Sequence, residues 1–257
     1  MTTLADMIAR LELQPGQAGI CSLAQAGFII KTAAGTTVAI DPYLTDSVNR
    51  LAGFPRLIPA PMTPAELDVD LIAITHSHPD HLDPDALPAW AEMRMRFVAA
   101  PDCAGALRDA GIAGERVTIL RKGESCSFHD LVIRATDADH GDLAPEAVGY
   151  LITAGTLTLY NVGDSGFAPE RLLPGLPEID VMIAPVNGAY GNLNEEEACR
   201  LAALVKPRRL IGCHTGMFAV HGGDPARFLE LARELKGIEA LMMQPGECRL
   251  FAAEEHR

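Results

Sequence analysis

Residues 75–83 read THSHPDHLD, so three of the chain's eight histidines, His76, His78 and His81, fall beside Asp80 in one short stretch. Imidazole and carboxylate are the ligands that zinc, manganese and iron accept. In an extended segment, side chains two apart point the same way, which lets His76 and His78 grip one ion together. Asp80 and His81 are neighbours and must diverge, which suits a second ion. The spacing therefore predicts two ions on one loop, directly after the apolar run Leu71-Ile72-Ala73-Ile74.

A site of that kind needs donors from elsewhere, and three stand where other apolar runs stop. LTLYNVG ends in Asp164, RLIGC in His214, and LVIRATDAD in His140. Donors at strand ends are held by a rigid sheet while the loops stay open to substrate.

The elements that would carry them are legible as short apolar runs. Strands are predicted at 19–24, 27–33, 36–40 and 71–75, in RFVAA and RVTIL, and again at 131–137, 148–154, 157–162, 181–186 and 208–213. Helical patches fall at 4–12, 84–93 and 101–111. Two more helices are marked by caps, one by Asn194 with Glu197 three residues on, the other by Asp224-Pro225. Strands in two clusters, each with helices after them, predict an α/β fold: a four-layer αββα sandwich of two mixed sheets flanked by helices. A doubly wound sheet is the alternative. With no repeat or linker, residues 1–257 read as a single domain.

The bulk numbers exclude several classes. A formal charge of −13 opposes nucleic acid, which is bound by clustered Lys and Arg. No apolar run reaches the roughly 20 residues of a membrane span. The start, MTTLADMIARLELQ, lacks the marks of a secretory leader, which predicts a cytoplasmic protein. Six scattered cysteines without C-x-x-C predict reduced, buried thiols. The partner is then a small-molecule substrate; a homo-oligomer is left open.

Taken together, HSHPDH followed by His140, Asp164 and His214 resembles the metallo-β-lactamase superfamily over roughly residues 17–237. LAQAGFIIKTAAGTTVAIDPYL, YNVGDSG, APVNGAYGNLNEEEA, GCHTGMF and GGDP resemble more narrowly its L-ascorbate-6-phosphate lactonase-like branch. The resemblance implies a metallo-β-lactamase fold with two divalent metal ions. His76, His78 and His140 would hold the first, with Asp139 the competitor for the place of His140; Asp80, His81 and His214 would hold the second, and Asp164 would bridge them. Asp41 in AIDPYL would support a ligand from behind. The branch leans towards manganese and the superfamily towards zinc, with iron also compatible.

The reaction so implied is hydrolysis by a metal-bridging hydroxide, opening an ester-type bond, most of all a sugar-acid lactone, with Asp80 shuttling the proton. Asn187, Tyr190 and Asn192 in NGAYGN are candidate substrate contacts, and His221 would meet an anionic group. Thr215 stands where the branch carries an aromatic residue or histidine, which bears on the substrate. The alternatives are a small phosphodiester, an N-acyl-homoserine lactone, and a metal-stabilised scaffold without turnover. The acyl lactone needs an apolar groove, and one Trp with eight Phe weighs against it. His129 and His256 read as a turn residue and a tail.

Overall fold

The computed structural model describes residues 2–253. The chain begins with α1 (Leu4–Arg10), capped reciprocally by Thr3 and Asp6. It continues through β1 (Gln17–Ala24), β2 (Gly27–Thr32), β3 (Thr37–Ile40), α2 (Ser47–Ala52), β4 (Leu71–Ile74), α3 (Leu87–Ala91), β5 (Arg96–Ala99), α4 (Ala104–Asp109) and β6 (Val117–Ile119). The second half runs β7 (Ser125–Phe128), β8 (Leu131–Asp137), β9 (Val148–Ala154), β10 (Leu157–Asn161), α5 (Pro169–Leu172), β11 (Val181–Pro185), α6 (Glu195–Val205), β12 (Arg209–Cys213), α7 (Pro225–Ala232), β13 (Glu239–Met242) and β14 (Cys248–Ala252).

These strands form two seven-stranded sheets, ordered β14-β1-β2-β3-β4-β5-β6 and β13-β12-β11-β10-β9-β8-β7. In the first, β14 to β3 pair antiparallel and β3 to β6 parallel. The second repeats that scheme from β7 to β13. The sequence shows no repeat, yet the topology has one.

Alternation along β11 shows how the layers close. Val181 and Ile183 join the core between the sheets, while Met182 and Ala184 face the opposite way into a second cluster with Leu201 and Ala202 of α6 and Phe228 of α7. α6 holds because Asn194 caps it with Glu197 and because Ala198, Leu201 and Ala202 share its buried face. The two mixed sheets flanked by helices are the architecture that the pattern predicts. Where the pattern suggests a helix over 101–111, a 3-10 turn (Pro101–Cys103) precedes α4. β7, β13 and β14 escape the pattern; β7 and β14 are short and half-exposed. Among the described residues, no helix is long and apolar enough to cross a membrane.

One expectation fails. Cys21 and Cys248 are register partners on β1 and β14 and form a disulfide. They are 227 residues apart in sequence, and only the return of β14 to the first sheet brings them together. Cys103, Cys126, Cys199 and Cys213 are free, three of them buried.

Thiol titration of the denatured protein should therefore count four groups without reductant and six after reduction. Cys248→Ser should lower unfolding stability by about 2–4 kcal/mol. A count of six without reductant would remove the disulfide from the account.

Candidate metal centre

The donors converge at the ends of strands from both sheets. β3 delivers Asp41, β4 the loop 75–83, β8 His140, β10 Asp164 and β12 His214. The loop does not run extended, as the spacing argument assumed. The N–H groups of His81 and Leu82 both donate to the carbonyl of His78, each at 2.9 Å. This turn, rather than a two-residue alternation, places Asp80 and His81, and it keeps His81 beside His76 with ring centroids 4.1 Å apart.

Three donor groups result, each with ligand atoms within 4.8 Å of one another: His76, His78 and His140; Asp80, His81 and His214; and His76, His81 and Asp164. Asp164 Oδ2 lies 3.2 Å from His214 Nε2, 3.5 Å from His81 Nε2 and 3.8 Å from His140 Nε2. Asp139 instead pairs with Arg171, which leaves His140 as the residue of that region in the cluster. Gly163 takes φ +69°, and a Cβ there would stand 2.7 Å from the carbonyl of Val148, so glycine is required just before Asp164.

The donor set fits metal ions on its geometry. Ring nitrogens face one another at short range: His76 Nε2 to His78 Nδ1 at 2.9 Å, His81 Nε2 to His214 Nε2 at 3.2 Å, and His140 Nε2 to His78 Nδ1 at 3.3 Å. Buried nitrogens and carboxylates brought this close can share a cation, and imidazole with carboxylate suits zinc, manganese or iron.

Supporting contacts fix the donors. Asp41, fully buried, accepts from the Thr75 N–H at 2.8 Å, the Thr75 hydroxyl at 2.6 Å and His81 Nδ1 at 2.8 Å. A His81 that donates through Nδ1 turns Nε2 towards the cluster. Gln25, in the β1–β2 turn, donates from Nε2 to Asp80 Oδ2 at 2.8 Å, and its carbonyl accepts the His214 N–H at 2.9 Å. Asn192 Nδ2 donates to Asp164 Oδ2 at 2.9 Å. The sequence argument missed Gln25. The only signal was a polar residue in an apolar hairpin, which reads as ordinary turn chemistry. Asn192 thus engages Asp164 through Nδ2 while it also lines the cavity.

The cluster forms the floor of a cavity of about 210 Å³ that includes Tyr190 and His221 in its lining. His221 stacks on His214 with ring centroids 4.9 Å apart, and Tyr190 meets it edge-on at 5.6 Å. Asn187 is not among the residues that line the cavity. Its side chain is buried. His129 sits in the β7–β8 turn, and His256 lies outside the described residues.

Electrostatics divide the imidazoles. Burial depresses His81 and His214, but Asp164, foremost among the neighbouring carboxylates, carries both above their ordinary value. Burial lowers His76 well below its usual value and brings His140 and His221 down to about 4. Asp80 is pushed up by burial, yet His81, His214 and the Gln25 amide hold it below the ordinary carboxylate value.

Comparison with known proteins bears on this arrangement. Residues 19–214 match the family model of the beta-lactamase superfamily domain. The chain is 26% identical over 235 residues to a UPF0173 metal-dependent hydrolase of Methanosarcina barkeri, covering 88% of this chain and 95% of that one. It is 29% identical over 249 residues to a UPF0173 metal-dependent hydrolase of Rubrobacter xylanophilus, covering 90% and 96%. Among solved structures it resembles Igni18, a metallo hydrolase of Ignicoccus hospitalis, with a TM-score of 0.77 and 22% identity, covering 93% of this chain and all of that one. At that identity the likeness speaks for the fold.

Because the neighbouring carboxylates raise His81 and His214 above the ordinary imidazole value, protons on these rings compete with an incoming ion. Metal uptake near neutral pH should therefore release protons. The number released should fall as the starting pH is raised. Calorimetry in two buffers of different ionisation enthalpy measures it. Asp41→Asn should weaken metal binding by about 10–100-fold.

Proposed function

This chain belongs to the beta-lactamase superfamily, and we propose that it is a metal-dependent hydrolase that opens an ester-type bond, a lactone first of all. One observation carries the reading. Two three-residue donor groups meet at the cavity floor with Asp164 between them, and no Ser, Thr or Cys lines the cavity as a nucleophile. The relatives from Methanosarcina barkeri and Rubrobacter xylanophilus are metal-dependent hydrolases by name, which supports it.

His76, His78 and His140 would hold one ion, Asp80, His81 and His214 the other, with Asp164 in reach of both sets. Divalent ions bound there would lower the pKa of water towards neutrality and polarise a carbonyl oxygen. The chain supplies the remainder. Asp41 keeps His81 in one orientation, and Asn192 does the same for Asp164. Gln25 holds Asp80 Oδ2, while His81 and His214 do most to keep the carboxyl below its ordinary value, and Asp80 lines the cavity. In the reaction the acyl C–O bond breaks and the oxygen of water joins the acyl carbon. Asp80 takes up the proton and returns it to the leaving alkoxide. Tyr190 and His221 line the cavity where the substrate enters.

The sequence resemblance points to a sugar-acid lactone, and a small phosphodiester is the rival chemistry on such a site. Metal analysis of gently purified protein should find about two ions per chain. Chelation should abolish turnover of lactones, and zinc, manganese or iron should restore it to different degrees. Lactones should be turned over faster than bis-p-nitrophenyl phosphate; the reverse order makes the protein a phosphodiesterase. Asp80→Asn should lower kcat by about 10²–10⁴-fold. Metal content below one ion per chain that His76→Ala leaves unchanged would defeat the proposal.

A further inference from the structure

Five apolar side chains, Val48, Ala52, Phe54, Leu143 and Phe218, line the cavity above the donor cluster, and no Lys or Arg does. Val48 and Phe218 are buried in a cluster with Tyr43 and Met217, so this wall is backed by packed side chains. Leu143, just past His140, is 55% exposed although it lines the cavity. Apolar surface left in water at the mouth of a polar site marks where an apolar ligand group goes. The composition argument against an apolar groove counted aromatic residues, whereas Val48, Ala52 and Leu143 make most of this wall.

The wall is tied to the donor loop. Asp83 accepts from the N–H groups of Leu44 at 2.7 Å and Thr45 at 2.9 Å, and the Ser47 hydroxyl donates to the Pro79 carbonyl at 3.2 Å. A group seated on the wall is thereby placed at a set distance from the donors.

Charge and size narrow the occupant. An anionic substituent would find no guanidinium or ammonium to pair with in the cavity. Arg56, whose guanidinium lies over the Tyr43 ring, gives Nη1 to the carbonyls of Tyr43 and Thr45 and Nε to that of Ile58. It does not line the cavity. The volume of about 210 Å³ exceeds the roughly 150 Å³ of an apolar cavity that accepts benzene.

We propose that the ester or lactone taken by this site carries a neutral, apolar substituent the size of an aryl ring or short alkyl chain, seated against Val48, Ala52, Phe54, Leu143 and Phe218. The inference rests on the hydrolase reading and narrows its substrate class away from anionic sugar acids.

The test uses the metal-loaded protein with neutral lactones of rising alkyl length and size-matched lactones bearing a carboxylate. kcat/KM should rise roughly three- to fourfold per methylene until the cavity is filled. The carboxylate series should be at least about tenfold poorer. Leu143→Arg, a change at an exposed position, should shrink that preference about tenfold or more by placing a cation on the wall. Binding of the matching non-hydrolysable lactams, measured by calorimetry, gives a second readout that needs no turnover.

Flat kinetics along the alkyl series, or faster turnover of the carboxylate or sugar-acid lactones, overturns the inference and leaves the hydrolase reading standing. No turnover of any ester, with apolar lactams still bound more tightly than charged ones, upholds the apolar subsite and removes the ester hydrolase. No turnover and no binding preference removes both.

Discussion

Asp41 is the constraint from which the centre follows. Its buried carboxylate at the end of β3 takes three hydrogen bonds from the loop after β4, two from Thr75 and one from His81. Those bonds pin both ends of the segment that carries His76, His78 and Asp80. Thr75 also ties the loop to the other sheet, because its carbonyl accepts the Val148 N–H at 3.0 Å. One carboxylate thus sets the loop's geometry while remaining outside all three donor groups. A buried carboxylate whose oxygens are taken up by three donors avoids the cost of an unsatisfied polar group.

The two sheets explain why the remaining donors arrive where they do. Each half runs antiparallel and then parallel, and the donors follow the ends of β3 and β4 in one sheet and of β8, β10 and β12 in the other. Strand ends that share the core between the sheets cannot shift independently, since residues of both sheets pack in one cluster. Five separate segments therefore meet within a few ångströms without one long loop to gather them.

What could be read from the chain followed the range of each interaction. The His-rich loop is contiguous, and Asp164, His140 and His214 each close an apolar run, so residue type and position marked them. Gln25 and Asn192 act through contacts 55 and 28 residues away, and nothing local separates them from turn residues. Asp83 is hidden in the same way, because its partners are the N–H groups of Leu44 and Thr45. Asn187 was singled out for standing near a strand end, and its side chain is buried outside the cavity lining. The disulfide was invisible for the most general reason: it joins the first strand to the last.

The apolar wall belongs to this long-range class, and its construction separates reactivity from specificity. Val48, Ala52 and Phe54 come from α2 and the turn after it, Leu143 from the turn after His140, and Phe218 from the loop after His214. None of the five has a polar side-chain atom, so none hydrogen-bonds a donor, and changing one alters volume and polarity without untying a ligand. Their anchors, Asp83 and Ser47, grip main-chain atoms or the loop carbonyl instead. Substitutions on the wall can therefore retune what enters while Asp41, Gln25 and Asn192 hold the donors in place. On the proposed reading, the choice of substrate lies with these apolar residues rather than with the histidines that first draw the eye.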